Sequence, residues 1–224
     1  LSNYWTTQDR LGYSYWLRYL NAQDYDNKDI PLPMLEPLIA QFASFDSSNK
    51  HSLLYINKIL DSYGKQSPTS RNIISSPSKS NKQLRIAWIS SDISYHPVAR
   101  FLYGWFANTQ DLQHNHILVD VNDHGIESYR THFDQLSSVS VHNFGQGSLT
   151  SRIHSLKQLN ADIAIDLNGW TGGHMQRAFY ERISPIQINY LGYYATTGNP
   201  NIDYWLGDHS LFPSDTCEFS TEKL

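Results

Sequence analysis

Cysteine is nearly absent: Cys217 is alone among 224 residues. A single thiol excludes an internal disulfide framework and any multi-cysteine zinc site. Charge is sparse as well, at 17% of residues, with 17 Lys and Arg against 21 Asp and Glu and a formal net charge of −4. A nucleic-acid binder usually shows a basic excess, so nucleic acid is not an expected partner. No apolar run reaches the ~18 residues needed to cross a membrane. The N-terminus, Leu1-Ser2-Asn3-Tyr4-Trp5, lacks the basic stretch and apolar run of a secretion signal. No membrane partner is therefore expected, and the expected location is cytoplasmic. Methionine is scarce too. Met34 and Met175 are the only two and the first residue is Leu1, so the chain is expected to be a piece of a longer protein.

What is present is a globular composition. Hydrophobic residues make up 40% of the chain, enough for a buried core. Three regions follow one another. Residues 1–65 read as helical. Tyr13, Trp16, Leu17 and Leu20 share one helix face, Leu38, Ile39 and Phe42 form a second, and a third helix is predicted from His51 to Tyr63. Asp46, Ser47 and Ser48 are candidate caps for that helix. Helix pairs of this kind are compatible with the end of a helical array. Residues 66–83 hold six serines together with Pro68 and Pro77, which is the composition of a linker.

From Leu84 onward strands and helices alternate, and residues 84–224 form the third region. Strands are predicted at Leu84–Ile89, His116–Val121, Val139–Val141, Ile163–Leu167, Ile186–Leu191 and Tyr204–Leu206. Helices are predicted from Pro97 to Asn108, over 127–136, from Thr150 to Leu159 and from Met175 to Arg182. Ser148 or Thr150 is the cap of the third of these. Continuous apolar strands separated by helices predict an α/β fold with a doubly wound parallel sheet, preceded by the α-helical region.

In such a sheet a ligand binds at the carboxyl ends of the strands, where the strand order reverses. With the order 3-2-1-4-5-6 the reversal falls between the first and fourth strands. The loops there are 90–97 and 168–174. The first carries Asp92 and His96 close to a helix start, a pair able to move protons or bind a polar ligand. The plainer alternative is that Asp92 caps nearby backbone N–H groups and His96 only holds the loop. The second loop has three glycines, which permit close backbone approach to a ligand or simply a tight turn. A third candidate surface, 191–198 after the fifth strand, offers glycines, hydroxyls and the rings of Tyr193 or Tyr194. Its plainer reading is a glycine-containing strand exit. No G-x-G-x-x-G or phosphate-loop motif occurs, and neither H-E-x-x-H nor G-x-S-x-G is found. The ten histidines form no metal signature, so no metal site is predicted.

Several segments, in order, resemble the catalytic region of the O-linked N-acetylglucosamine transferases, the SPINDLY-like family. They are Leu84-Arg85-Ile86-Ala87-Trp88-Ile89-Ser90-Ser91-Asp92 with His96-Pro97, then Asp166-Leu167-Asn168-Gly169-Trp170-Thr171-Gly172-Gly173. Further on come Pro185-Ile186-Gln187, Leu191-Gly192-Tyr193, Thr197-Gly198, Asp203-Tyr204 and Ser220-Thr221-Glu222-Lys223-Leu224. His51-Ser52-Leu53-Leu54-Tyr55 resembles the segment that precedes that region.

The resemblance implies a GT-B glycosyltransferase with two Rossmann-like domains and the active site in the cleft between them. It implies inverting transfer of N-acetylglucosamine from UDP-GlcNAc to Ser or Thr hydroxyls of a protein or peptide, with no required metal or cofactor. Some relatives move hexose onto Asn, and tetratricopeptide helices usually lie upstream. By the same resemblance Asp92 and His96 lie at the reacting centre. Leu191 and Gly192 contact the sugar through their backbone, and Leu53 lines the sugar pocket. Pro97, Asn168, Gly169, Thr171 and Tyr193 complete the expected substrate-binding set. The sequence departs from the family pattern at Lys50, Val98, Gly172 and Tyr194-Ala195. It stops at Leu224, where the second, nucleotide-binding domain of the family would follow, so the chain alone is expected not to turn over donor. A reading from a different class stays open, that of a non-catalytic Rossmann-like interaction module.

Overall fold

A computed structural model describes residues 50–63, 83–109, 113–122, 129–208, 210–212 and 220–224. The first two predicted helices, the candidate caps Asp46, Ser47 and Ser48, and the Ser/Pro-rich linker lie outside the described residues. Helix α1 (Lys50–Ser62) precedes the α/β region. There follow β1 (Arg85–Ser90), α2 (Pro97–Asn108), β2 (Asn115–Asp120), α3 (Arg130–Phe133), β3 (Val139–Asn143), α4 (Leu149–Gln158), β4 (Ile163–Asp166), α5 (Gln176–Tyr180), β5 (Ile186–Tyr190) and β6 (Tyr204–Leu206).

The six strands form one sheet in the order β3-β2-β1-β4-β5-β6, and every pairing is parallel. This is the predicted doubly wound arrangement, with the reversal between β1 and β4. Side chains alternate across a strand, so β1 feeds two cores. Ile86 and Trp88 pack with Val98, Leu102, Phe106, Leu118 and Phe133 under α2 and α3. Ala87 and Ile89 pack with Val119, Ile153, Leu156, Ala178 and Phe179 under α4 and α5. Burial on both faces is why these strands read as unbroken apolar runs.

The helix boundaries follow from local chemistry. Pro97 takes the first turn of α2, where the N–H it lacks would be unpaired anyway, and His96 caps the helix by accepting the Val98 N–H on Nδ1 at 3.4 Å. Ser148, one of the two cap candidates, accepts the Ser151 N–H at 3.2 Å and starts α4. Two helices are shorter than the periodicity predicts. Helix α3 ends at Phe133, short of the predicted 136, and α5 ends at Tyr180 because Arg182 turns into the left-handed region at φ 55°. Within the core, the Trp88 indole N–H donates to His116 Nδ1 at 3.0 Å, and burial lowers the His116 pKa. The imidazole is thus held neutral as an acceptor.

Leu118 is fully buried in the centre of the α2 side, whereas Phe101 on the outer face of α2 is 65% exposed. Leu118→Ala is expected to cost about 2–5 kcal/mol of stability. Phe101→Ala is expected to change it by less than about 0.5 kcal/mol. Denaturant unfolding of the two variants beside the parent chain measures the difference.

Candidate active site

The apolar strands end in polar residues. Ser90, Asp120 and Asp166 close β1, β2 and β4, Asn189 is next to last in β5, and all four are buried. The carboxyl edge of the sheet is therefore a polar shelf, and three loops meet on it.

The first two loops are joined by one side chain. Asn168 Oδ1 accepts the Ser91 backbone N–H at 2.7 Å, which fixes the orientation of the amide. Its Nδ2 then faces Asp92 Oδ2 at 2.8 Å and Ser91 Oγ at 2.9 Å, with Thr171 Oγ1 at 3.2 Å. Ser91 Oγ continues to the Gly172 carbonyl at 2.8 Å. Among the described residues no backbone N–H donates to Asp92, and the cap of α2 is His96 instead. The Asp92 side chain keeps 26% of its surface exposed and that of His96 keeps 46%, with Nδ1 of His96 3.9 Å from Asp92 Oδ2. Because Nδ1 accepts the Val98 N–H, neutral His96 carries its proton on Nε2 and presents a donor there.

Behind Asn168 lies Asp166, wholly buried. Its carboxylate accepts the N–H of Asn168 at 3.0 Å and of Gly169 at 3.2 Å, and the Gln176 amide at 2.6 Å. Gln176 in turn accepts from Asn199 Nδ2 at 3.0 Å. Gly169 sits at φ 54°, and the Tyr193 ring lies so close that any Cβ there would collide with it. Tyr193 is itself buried. Burial also pushes the His174 imidazole down to about 4, so it is neutral and accepts the Gln176 N–H on Nδ1 at 3.3 Å.

The third loop leaves β5 through Leu191, a residue with a branched side chain in the left-handed region at φ 63° and exposed. Such strain is held only where the surroundings impose it. Gly192 lies against the Leu167 carbonyl, and a Cβ on it would come within 3.3 Å of Val98 in the first turn of α2. The second loop is tied to the third by the Trp170 indole, which donates to the Thr197 carbonyl at 2.7 Å. Gly198 closes against α1, where a Cβ would lie 2.8 Å from Ile56 and 3.0 Å from Leu53.

The structure thus brings the sequence-predicted residues together in two groups. Asp92, His96, Asn168 and Thr171 touch directly or through Asn168. Leu191, Gly192, Tyr193 and Leu53 gather around the third loop, with Gly169 beneath Tyr193. Pro97 is exposed in the first turn of α2. The side chains of Asn168 and Tyr193 face inward, so they shape the site from beneath. Sequence reasoning assigned no role to Asp166, Trp170, Gln176, Asn199 or Glu222. Asp166, Trp170 and Glu222 stand inside motifs quoted above, the one signal that pointed to them. Among the described residues no group of three or more His, Cys, Asp or Glu gathers to hold a metal ion, and no helix is long and apolar enough to cross a membrane.

A six-stranded parallel sheet that reverses between β1 and β4, with helices on both faces, defines a doubly wound α/β protein of the Rossmann-like kind, and Asp92 and His96 lie at its switch point. The model of Glycosyl transferase family 41 matches residues 31–224, and the chain belongs to that family. A probable UDP-N-acetylglucosamine–peptide N-acetylglucosaminyltransferase of Arabidopsis thaliana, SEC, is 31% identical over 147 residues, covering 64% of this chain and 14% of that protein. The UDP-N-acetylglucosamine–peptide N-acetylglucosaminyltransferase of Caenorhabditis elegans is 28% identical over 154 residues, 65% of this chain and 13% of that protein. The chain thus spans about one seventh of the length of these relatives. Among solved structures, a mutant of the Thermobaculum terrenum O-GlcNAc transferase superposes with a TM-score of 0.66 at 22% identity, over 85% of this chain and 36% of that one. That likeness shows the fold.

Burial raises the Asp166 carboxyl to about 7, against the amide hydrogen bonds of Asn168, Gly169 and Gln176, which pull it down. The folded value lies above the unfolded 3.8, so the folded state binds the proton more tightly. Stability is then expected to fall as pH rises from about 4 through about 7. Asp166→Asn cannot titrate and is expected to flatten that part of the curve. Denaturant midpoints of both proteins across this range test it, and an equal slope in the variant is the contrary result.

Proposed function

We propose that the chain forms the sugar- and acceptor-side wall of a GT-B protein glycosyltransferase. In this reading N-acetylglucosamine passes from UDP-GlcNAc to a Ser or Thr hydroxyl with inversion, and a second Rossmann-like domain binds the nucleotide. The observation that carries it is the fixed, partly exposed Asp92 carboxylate at the switch point, with His96 beside it. Membership of glycosyl transferase family 41 and the names of the relatives support the donor and acceptor class.

A neutral hydroxyl is a poor nucleophile, and removing its proton as the bond forms typically contributes ~10²–10⁴-fold. The acceptor oxygen bonds to the anomeric carbon from the face opposite the leaving group. The bond from that carbon to the diphosphate oxygen breaks, UDP leaves with the electron pair, and the hydroxyl proton passes to Asp92. Asn168 holds Asp92 in one orientation while leaving part of the carboxylate free for this proton. His96 offers an Nε2 donor to orient a sugar or acceptor oxygen. Leu191, Gly192 and Leu53 bound the sugar. The nucleotide sugar is substrate, and no resident cofactor is part of the proposal.

In the natural-length protein, Asp92→Asn is expected to lower kcat by about a hundredfold or more, with donor binding retained. His96→Ala is expected to lower kcat/KM by about tenfold or more. Sugar transfer followed by mass spectrometry of an acceptor peptide gives both values, and unchanged turnover in both variants would overturn the assignment. The 224-residue chain alone is expected to transfer no sugar from UDP-GlcNAc. Product formed by the purified chain would refute that division of labour.

A further inference from the structure

Glu222 is a buried carboxylate, 5% exposed, with no cation against it among the described residues. Burying an unpaired charge is costly unless hydrogen bonds replace water. Here they do. Glu222 accepts the Thr197 N–H at 2.7 Å, the Thr196 hydroxyl at 2.5 Å and the Thr197 hydroxyl, and the Ser220 and Thr221 hydroxyls at 3.1 Å each. All five donors come from two segments. One is the third loop of the candidate site. The other is the stretch 220–224, which lies along the edge of the sheet. There the Trp205 N–H donates to the Lys223 carbonyl at 2.8 Å, and the Lys223 N–H to the Asp203 carbonyl at 3.0 Å.

Thr197 is therefore held from two sides. Its carbonyl accepts the Trp170 indole of the second loop, and its N–H and hydroxyl donate to Glu222. The next residue, Gly198, turns at φ 63° against Leu53 and Ile56 of α1. Residues 196–198 are pinned between the sheet edge, the second loop and α1. Upstream in the same loop lie Leu191, strained at φ 63°, and the closely packed Gly192.

We infer that Glu222 is a positioning residue for the sugar-side loop. It fixes the shape of 191–198 and couples that shape to the segment 220–224. The inference rests on the sugar-binding reading of that loop. Its effect falls on donor binding, because the Asp92–Asn168 pair is anchored separately through Ser91 and Asp166.

Two variants and two measurements test it. Glu222→Ala leaves the Thr197 N–H and the threonine hydroxyls without their acceptor. Glu222→Gln keeps an accepting oxygen, and the hydroxyls can reverse to accept from its amide. In the natural-length protein, Glu222→Ala is expected to raise the donor KM about fivefold or more, with kcat and acceptor KM changed less than about twofold. Glu222→Gln is expected to stay near the parent values. A general loss of folding would instead lower the active fraction, so that kcat falls while both KM values stay put. In the 224-residue chain, hydrogen exchange of the Thr197 and Gly198 amides is expected to quicken about tenfold or more in Glu222→Ala, with Ala87 and Ile89 in β1 unchanged. Unchanged exchange at Thr197 overturns the anchoring, and faster exchange with an unchanged donor KM overturns the positioning role. If the unsubstituted natural-length protein transfers no sugar, the functional reading fails and the donor-positioning role with it, while the exchange data still decide whether Glu222 anchors the loop.

Discussion

The candidate site depends on one side-chain amide. Asn168 accepts from the first loop through Oδ1 and donates to the same loop through Nδ2, so two segments 77 residues apart in sequence are fixed in one geometry. A carboxylate in the same place would set a second negative charge against Asp92 and have no hydrogen to give the Ser91 and Asp92 oxygens. An aliphatic residue would leave the buried Ser91 N–H without an acceptor, which typically costs ~1–3 kcal/mol. Only a group that is donor and acceptor at once meets both demands. The orientation of Asp92 follows from it.

Around that amide two carboxyl groups are buried with no cation against them among the described residues. Asp166 and Glu222 are both inside, and each is answered by amides and hydroxyls. A lysine or arginine would have supplied more Coulombic attraction in a low dielectric, but it would also have needed its own desolvation offset. Neutral donors fixed in loops bring a different advantage. Each of them belongs to a backbone segment, so satisfying the carboxylate also sets the course of the chain. The buried polar groups under the three loops act as joints between segments.

The sheet was legible in the sequence because parallel strands covered on both faces appear as short unbroken apolar runs, and because Pro97, Ser148 and the glycine-bearing exits punctuate them. The strand order and the switch point followed from the alternation of elements, and with them the position of Asp92 and His96. The second tier was not legible. Nothing in the local pattern pairs Ser91 with Asn168, Trp170 with Thr197 or Thr197 with Glu222, because those bonds form only once the strands are side by side. The short α3 and α5 show the same limit from the other side. Apolar spacing there predicts longer helices, but Arg182 adopts the left-handed region and its guanidinium binds the Asn201 carbonyl at 2.7 Å and the Asp203 carboxylate at 2.8 Å. Tertiary bonding ends α5 where periodicity would have continued it.

The pairing of Lys223 with the far side of β6 has a separate consequence for the surface of the molecule. A free sheet edge is a row of unsatisfied donors and acceptors, open to any extended segment that drifts past. On the β6 side part of that row is occupied by the chain's own residues 220–224, locked down by a buried carboxylate that cannot leave without stranding the donors of Thr196 and Thr197. Foreign strands are thereby discouraged at the margin nearest the sugar-side loop, so the same short segment that shapes a binding surface also guards its flank against mispairing.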